Sequence, residues 1–235
     1  MPFLTAEWRK LAIANYAVDP AVLKPFLPPR TEFDIRNGKC LVSLVGFRFV
    51  QTKLKGIPIP FHVNFEEINL RFYVTHKPDA NEIRRGVCFI REIVSKPALA
   101  FVAKSIYHEP YVTHATKHDI RISGDELTVE YKWKKTKWNS IKIVAENKMV
   151  EMNPGSDEEF ITEHYLGYTK IADGKTSEYP VHHPRWKVYP VREFSIDVDF
   201  GNVYGNEFVF LNEQEPVSVM LAEGSGIAIL SGKKI

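Results

Sequence analysis

The sequence predicts a mainly β protein with two short helices. Aromatic and β-branched runs of five to ten residues recur along the whole chain, and Gly, Pro and Asn punctuate them. Only two segments carry helix-start signals, so strands dominate the expectation. At 235 residues the chain is expected to form one domain spanning 1–235, because β-rich barrels and sandwiches of this size fold as single units.

Taken in order, the expected strands are Arg9–Ala17, Lys39–Val50, Phe65–Thr75, Gly86–Val94, His118–Ser123, Leu127–Trp133, Phe160–Thr169, Tyr179–Val181, Trp186–Val191, Asn206–Phe210, Val217–Gly224 and Ile227–Leu230. Turn signals stand between them: "RNGK" at 36–39, "SGDE" at 123–126 and "ADGK" at 172–175. In "VDPAVLKPFLPP", Asp19 suits an N-cap, Pro20 the first helical position, and Pro28 ends the segment. In "SKPALAFVAKSIY", Ser95 caps, Pro97 starts, and Leu99, Val102, Ala103 and Ile106 form one apolar stripe suited to core packing. "NPGSDEE" at 153–159 reads as an exposed loop.

Composition narrows the function classes. With 44% hydrophobic and 26% charged residues the chain is a folded one, and a net charge of +2 is too small to imply a nucleic-acid partner. "YKWKKTKW" at 131–138 mixes lysines with aromatics, but alternation turns Leu127, Val129, Tyr131 and Trp133 inward and Glu130, Lys132 and Lys134 outward, which is a solvated amphipathic strand. No apolar run approaches the ~20 residues of a membrane helix. No signal peptide is expected, since Glu7, Arg9 and Lys10 precede the first apolar run. Cys40 and Cys88 lie in apolar runs, so buried free thiols and a reducing cytoplasm are expected. "HHPRW" lacks a zinc spacing, "AEGSGIAIL" opens no helix, and no Gly-x-Ser-x-Gly elbow occurs, so neither a metal nor a cofactor is expected.

Two constellations carry candidate chemistry. In "NFEEINLRFYV", Ile68, Leu70, Phe72 and Val74 share one face while Glu67, Asn69, Arg71 and Tyr73 share the other. In "GVCFIREIV", Arg91 and Glu92 stand between apolar neighbours on both faces, so one of them points into the core. A charge facing the core costs several kcal/mol unless it is paired or lines a wet cavity. A closed barrel with a polar lumen would explain both strands; structural ion pairs of Glu67 with Arg71 or Arg91 are the alternative. The second constellation joins "FITEHYLGYTK" to "EYPVHHPRWKVYPV", where His164, His183 and Arg185 could bind an anion or move a proton near neutral pH. Hydrogen-bonded core histidines are the competing explanation.

"FLTAEWRKLAIANYAVDPAVLKPFLP", "VSLVGFRF", "IPIPFHVNFEEINLRFYV", "FITEHYLGYT" and "HHPRWKVYPV" together resemble the YqjF-like family of bacterial proteins, a domain of unknown function, from Phe3 to about Leu230. That family is in turn similar to acetoacetate decarboxylase. The resemblance implies a closed, cone-like β-barrel with a polar cavity, with Glu67 near a pocket glutamate and Glu92 near a second acidic position. It also implies a Schiff-base lysine in a Pro-Lys-Lys segment, whose counterpart here, "HEPYVT", puts Tyr111 and Val112 after Pro110. Lys96 and Lys104 lie nearby on a segment that packs through its apolar stripe, so the lysine mechanism is not carried over.

The expected function is therefore binding of a small organic acid or carbonyl compound, with turnover where Glu67 acts as acid or base; Asn69, Arg71, Arg91, Glu92, His164, His183 and Arg185 would contact the ligand. A noncatalytic structural module, self-associating through exposed aromatics, is the alternative.

Overall fold

The computed structural model describes residues 2–98, 100–101, 108–171 and 174–235. Most of them form two antiparallel-rich sheets. The larger is built on β1 (Leu4–Val18), β3 (Cys40–Leu54), β5 (Phe65–His76) and β6 (Arg84–Val94), with the short strands β2 (Thr31–Phe33), β4 (Ile57–Pro58) and β7 (Tyr111–Thr113) added at β5, β3 and β6. The smaller is the meander β8 (Ala115–Ser123), β9 (Glu126–Lys134) and β10 (Trp138–Glu146), to which β15 (Val191–Asp197) adds beyond β10. The remaining strands, β11 (Val150–Glu151), β12 (Leu166–Lys170), β13 (Thr176–His182), β14 (Lys187–Tyr189), β16 (Ser218–Ile229) and β17 (Lys233–Lys234), all join the large sheet.

Its pairing runs β16-β1-β3-β5-β6-β12-β13, and β13 pairs again with β16 through Val181 opposite Ile229 and His182 opposite Ala228. Both faces of the large sheet are covered. On one, Ile68, Leu70, Phe72 and Val74 pack with Leu127, Val129, Tyr131 and Trp133 of β9 and with Ile141 and Ile143 of β10. On the other, Phe65 and Tyr73 join Leu11, Ile13, Val45, Phe47 and Phe49 around the interior. A strand buried on both faces leaves no wet side for alternation to report.

Local chemistry accounts for the boundaries. Asn37 and Gly38, both at positive φ, close the turn between the bridged Arg36 and Lys39. The Asp19 side chain accepts from the Ala21 amide and starts α1 (Pro20–Leu23), which runs into a 3-10 turn at Lys24–Phe26. Val217–Gly224 and Ile227–Leu230 are not two strands but parts of one, β16. Gly224, at φ +81, lies opposite Arg9, where β1 is irregular; a Cβ there would sit 2.0 Å from the Trp8 carbonyl oxygen.

Further expectations are corrected. Phe160–Thr169 is not one strand: Asp157–Thr162 is helix α2, and β12 begins only at Leu166. In "NPGSDEE" residues 153–155 are an exposed turn as expected, but the helix takes over after Ser156, which accepts from the Glu159 amide while the Glu159 carboxylate accepts from the Gly155 amide. Asn206–Phe210 is likewise not a strand but part of a 3-10 helix, Asn206–Asn212, that follows α3 (Phe200–Tyr204). The described residues thus hold more helices than the two expected. Trp186–Val191 is divided between β14 and β15 at Pro190, whose missing amide hydrogen cannot serve a ladder. Helical backbone does begin at Pro97, but the predicted stripe Leu99, Val102, Ala103 and Ile106, and Lys104, lie outside the described residues. Cys40 and Cys88 are buried free thiols.

Candidate functional site

The inner face of β5 sets out Phe65, Glu67, Asn69, Arg71 and Tyr73 in sequence, and all five are buried. β6 lies alongside with Glu92 opposite Asn69 and Phe89 opposite Arg71. Between these pairs the register slips at Ile90, so Ile90 and Arg91 both face away from the interior. Arg91 therefore donates to the Val203 carbonyl of α3 on the outer face and does not line the cavity. That corrects its assignment as a ligand contact. Of the two charges in "GVCFIREIV", the one that points inward is Glu92, which is 3% exposed.

Phe65, Glu67, Asn69, Arg71, Phe89 and Glu92 line a cavity of about 290 Å³. Its walls are mainly apolar, with Trp8, Phe47, Phe49, Phe65, Val87 and Trp186 contributing, and a few polar groups are set among them. Glu67 accepts from the Tyr111 hydroxyl at 2.8 Å and from Asn69 Nδ2 at 3.1 Å. A second carboxylate, Glu109, accepts from Tyr179 at 2.7 Å and from Thr169. Burial pushes the Glu67 carboxyl up to about 7, against the Tyr111 and Asn69 bonds and the attraction of Arg71. Burial does the same to Glu109, also to about 7. It holds Glu92 well above the usual range, and the charges of Glu109 and Glu67 push it the same way. The three carboxyls thus form a proton-holding group that titrates jointly.

Arg71 is the cation of the site. It is 7% exposed, makes no hydrogen bond or ion pair among the described residues, and its Nε is buried without a partner. Its guanidinium lies 5.8 Å from the Tyr73 ring centre. Nearby, in the turn after α2, His164 donates from Nε2 to Asp34 at 3.0 Å, and Arg85 Nε donates to the same Asp34 oxygen at 2.7 Å. Burial lowers the His164 imidazole below its ordinary value, outweighing the Asp34 bond, so the ring is neutral at neutral pH. His183 stacks on Trp186 at 4.3 Å, lines the same cavity and is lowered by burial too.

Glu67, Asn69, Arg71, Glu92, His164 and His183 are therefore brought together. Arg185 is not: it pairs with Glu159 and donates to the Met152 carbonyl outside the cavity, which corrects its assignment. Glu109, Tyr111 and Tyr179 line the cavity but were not among the candidates. Glu109 and Tyr111 flank Pro110 in "HEPYVT", and parallel pairing of β7 with β6 sets Tyr111 beside Glu92, a contact no local pattern encodes. Gly167 makes room for the Tyr179 ring, since a Cβ there would sit 2.1 Å from Tyr179 Cζ.

Comparison with solved structures shows the same fold in several enzymes. An enduracididine biosynthesis enzyme, MppR, with HEPES buffer bound superposes with a TM-score of 0.69 at 10% identity, covering 100% of this chain and 88% of that one. An acetoacetate decarboxylase-like enzyme from Sphingomonas wittichii RW1 gives 0.66 at 11% identity, covering 100% and 94%. Acetoacetate decarboxylase from Legionella pneumophila gives 0.64 at 14% identity, covering 100% and 87%. At these identities the likeness is one of fold. No curated protein matches the sequence. The model of DUF2071, described as an uncharacterized conserved protein, matches residues 5–226, and the chain belongs to that family.

Proposed function

We propose that the large sheet is a closed, single-domain barrel whose lumen binds a small organic acid or carbonyl compound, with Arg71 as the carboxylate anchor and Glu67 as acid or base. The observation that carries this is Arg71 itself: a buried arginine whose side chain makes no hydrogen bond or ion pair among the described residues, lining a cavity. Leaving a buried charge uncompensated costs several kcal/mol, and a bound carboxylate would remove that cost through paired N–H···O bonds. Glu67, near neutrality in its titration, would then give a proton to, or take one from, the ligand's carbonyl end. The wall of Phe47, Phe49, Phe65 and Trp8 suits an alkyl or aryl tail.

Structural neighbours support the ligand class, since MppR has been captured with pyruvate and with a condensation product of pyruvate and imidazole 4-carboxaldehyde. The Schiff-base route needs an amine in the cavity, and no described lining residue is a lysine. The groups described in the cavity are acid–base groups, Glu67, Glu92, Glu109 and His164, and the proposal uses these. A thermal-shift screen against small carboxylic acids, oxo acids and lipophilic carbonyl compounds, repeated on Arg71→Ala, tests it. Stabilisation of the wild type that the variant loses supports the proposal; no shift with any compound sinks it.

A second, noncatalytic reading rests on the tip after β3, where Ile57 is 63% and Phe61 89% exposed. Self-association through this tip would bury both, and Phe61→Ser would then turn a dimer into a monomer in sedimentation equilibrium.

A further inference from the structure

His164 has one nitrogen used and one not. Nε2 is bonded to Asp34, while Nδ1 is buried with no partner among the described residues. The side chain is only 1% exposed, and its ring is packed against Tyr73 at 4.7 Å and Phe160 at 5.1 Å. Buried polar atoms in native proteins are almost always bonded, so an unpartnered Nδ1 on a ring that lines a cavity calls for an explanation. Asp34 and Arg85 hold the outward side of the ring: Arg85 lines a surface groove with Arg36 and Glu163, whereas His164 lines the cavity. Nδ1 is therefore the nitrogen left for a group other than Asp34, on a ring that lines the cavity.

We propose that His164, oriented by Asp34, is the base that takes a proton from the carbon next to the carbonyl of an oxo acid held at Arg71, so that the protein enolises its ligand. This depends on the ligand binding proposed above. The Nδ1 lone pair accepts the C–H proton, and the C–H electron pair becomes the new C=C bond. The carbonyl π pair moves onto oxygen, which takes the proton held by the Glu67 carboxyl. The products are the enol, an imidazolium paired with Asp34, and the Glu67 carboxylate; no oxidant or co-reactant is consumed. Reversal in heavy water returns a deuteron to the carbon.

The surroundings fit each step. The groups facing His164 are Asp34 after β2, Arg85 on β6, and Arg71 and Tyr73 on β5. Burial, with the positive charges of Arg85 and Arg71, disfavours a second proton on the ring and keeps a lone pair at Nδ1. Asp34 stays ionised because the His164 and Arg85 bonds outweigh the effect of its burial, so it fixes the tautomer and stabilises the transient imidazolium. In this scheme Asp34 is a positioning residue.

The test is loss of the C3 proton signals of pyruvate and 2-oxohexanoate in heavy water, followed by proton NMR with the full chain, alongside thermal shift with the same acids. Wild type should exchange these protons faster than buffer, His164→Gln should lose roughly 100-fold or more of that rate, and both should keep the acid-induced thermal shift. Nitrogen-15 NMR of the unliganded protein should show the proton of His164 on Nε2, and Asp34→Asn should disturb that tautomer. Thermal protection without exchange in the wild type, undiminished exchange in His164→Gln, or a proton found on Nδ1 would each overturn the inference while leaving the binding proposal standing. Absence of any acid-induced shift would instead remove the binding proposal, and this inference with it.

Discussion

Replacing Glu67 by Gln should make the protein more stable, and only at the alkaline end. The side chain is 2% exposed and its carboxyl is raised from the ordinary 4.5 to about 7 by burial. Between those values the unfolded chain releases a proton that the folded chain keeps, so the native state binds more protons and stability falls as pH rises. For Glu67 taken apart from Glu92 and Glu109, the gap of about 2.5 pH units, at about 1.4 kcal/mol each, sets an upper figure on the order of 3 kcal/mol lost by pH 8 and under about 1 kcal/mol lost at pH 5. Gln cannot ionise and so escapes the loss. It also keeps the contacts, because its carbonyl can accept from Asn69 while its amide donates to the Tyr111 hydroxyl. At roughly 2–4 °C per kcal/mol for a chain of this size, Glu67→Gln should melt roughly 6–12 °C above wild type at pH 8 and within a few degrees of it at pH 5. Calorimetry at both pH values measures this. A difference that does not change with pH, or a variant less stable at both, would refute the view that Glu67 is buried at the expense of stability, as functional groups often are.

Gly167→Ala should cost about 1–3 kcal/mol or more in urea unfolding, because the new methyl meets the Tyr179 ring and pulls its hydroxyl from Glu109; an unchanged midpoint would contradict that packing. Trp133→Ala should cost about 3–5 kcal/mol, since the indole is fully buried between the two sheets; a loss below about 1 kcal/mol would mean the sheets do not pack there as described. Cys40, raised to about 11 by burial, and Cys88, raised well above its usual value by the same cause, should react with a disulfide reagent only after denaturant is added. Labelling of the native protein at neutral pH would place them elsewhere.

Strand chemistry was legible wherever alternation and turn residues agreed, as in β5, β9 and the "RNGK" turn. The inward set Glu67, Asn69, Arg71 could be read from period two alone, because β5 keeps its pleat throughout that stretch. Which of Arg91 and Glu92 points inward could not: period two says only that one of them does, and the slip at Ile90 that sets their pairing depends on the partner strand. β10 carries an alternation of its own, with Ile141, Ile143 and Ala145 turned inward together, and α2 lies in an aromatic run where only its Ser156–Glu159 cap marks a helix. Glu109 enters the site only through the packing of β7 on β6 and of Tyr179 across it, long-range contacts with no local signature. His164 was singled out as a residue type, but its Asp34 partner stands 130 positions away.

The most direct test of the central claim is calorimetric titration of wild type and Arg71→Gln with pyruvate, 2-oxohexanoate and phenylacetate. One-site binding to the wild type, weakened at least 10-fold in a variant that still folds, is the predicted result. Equal affinities in the two proteins, or no heat of binding with any of these acids, would contradict the account.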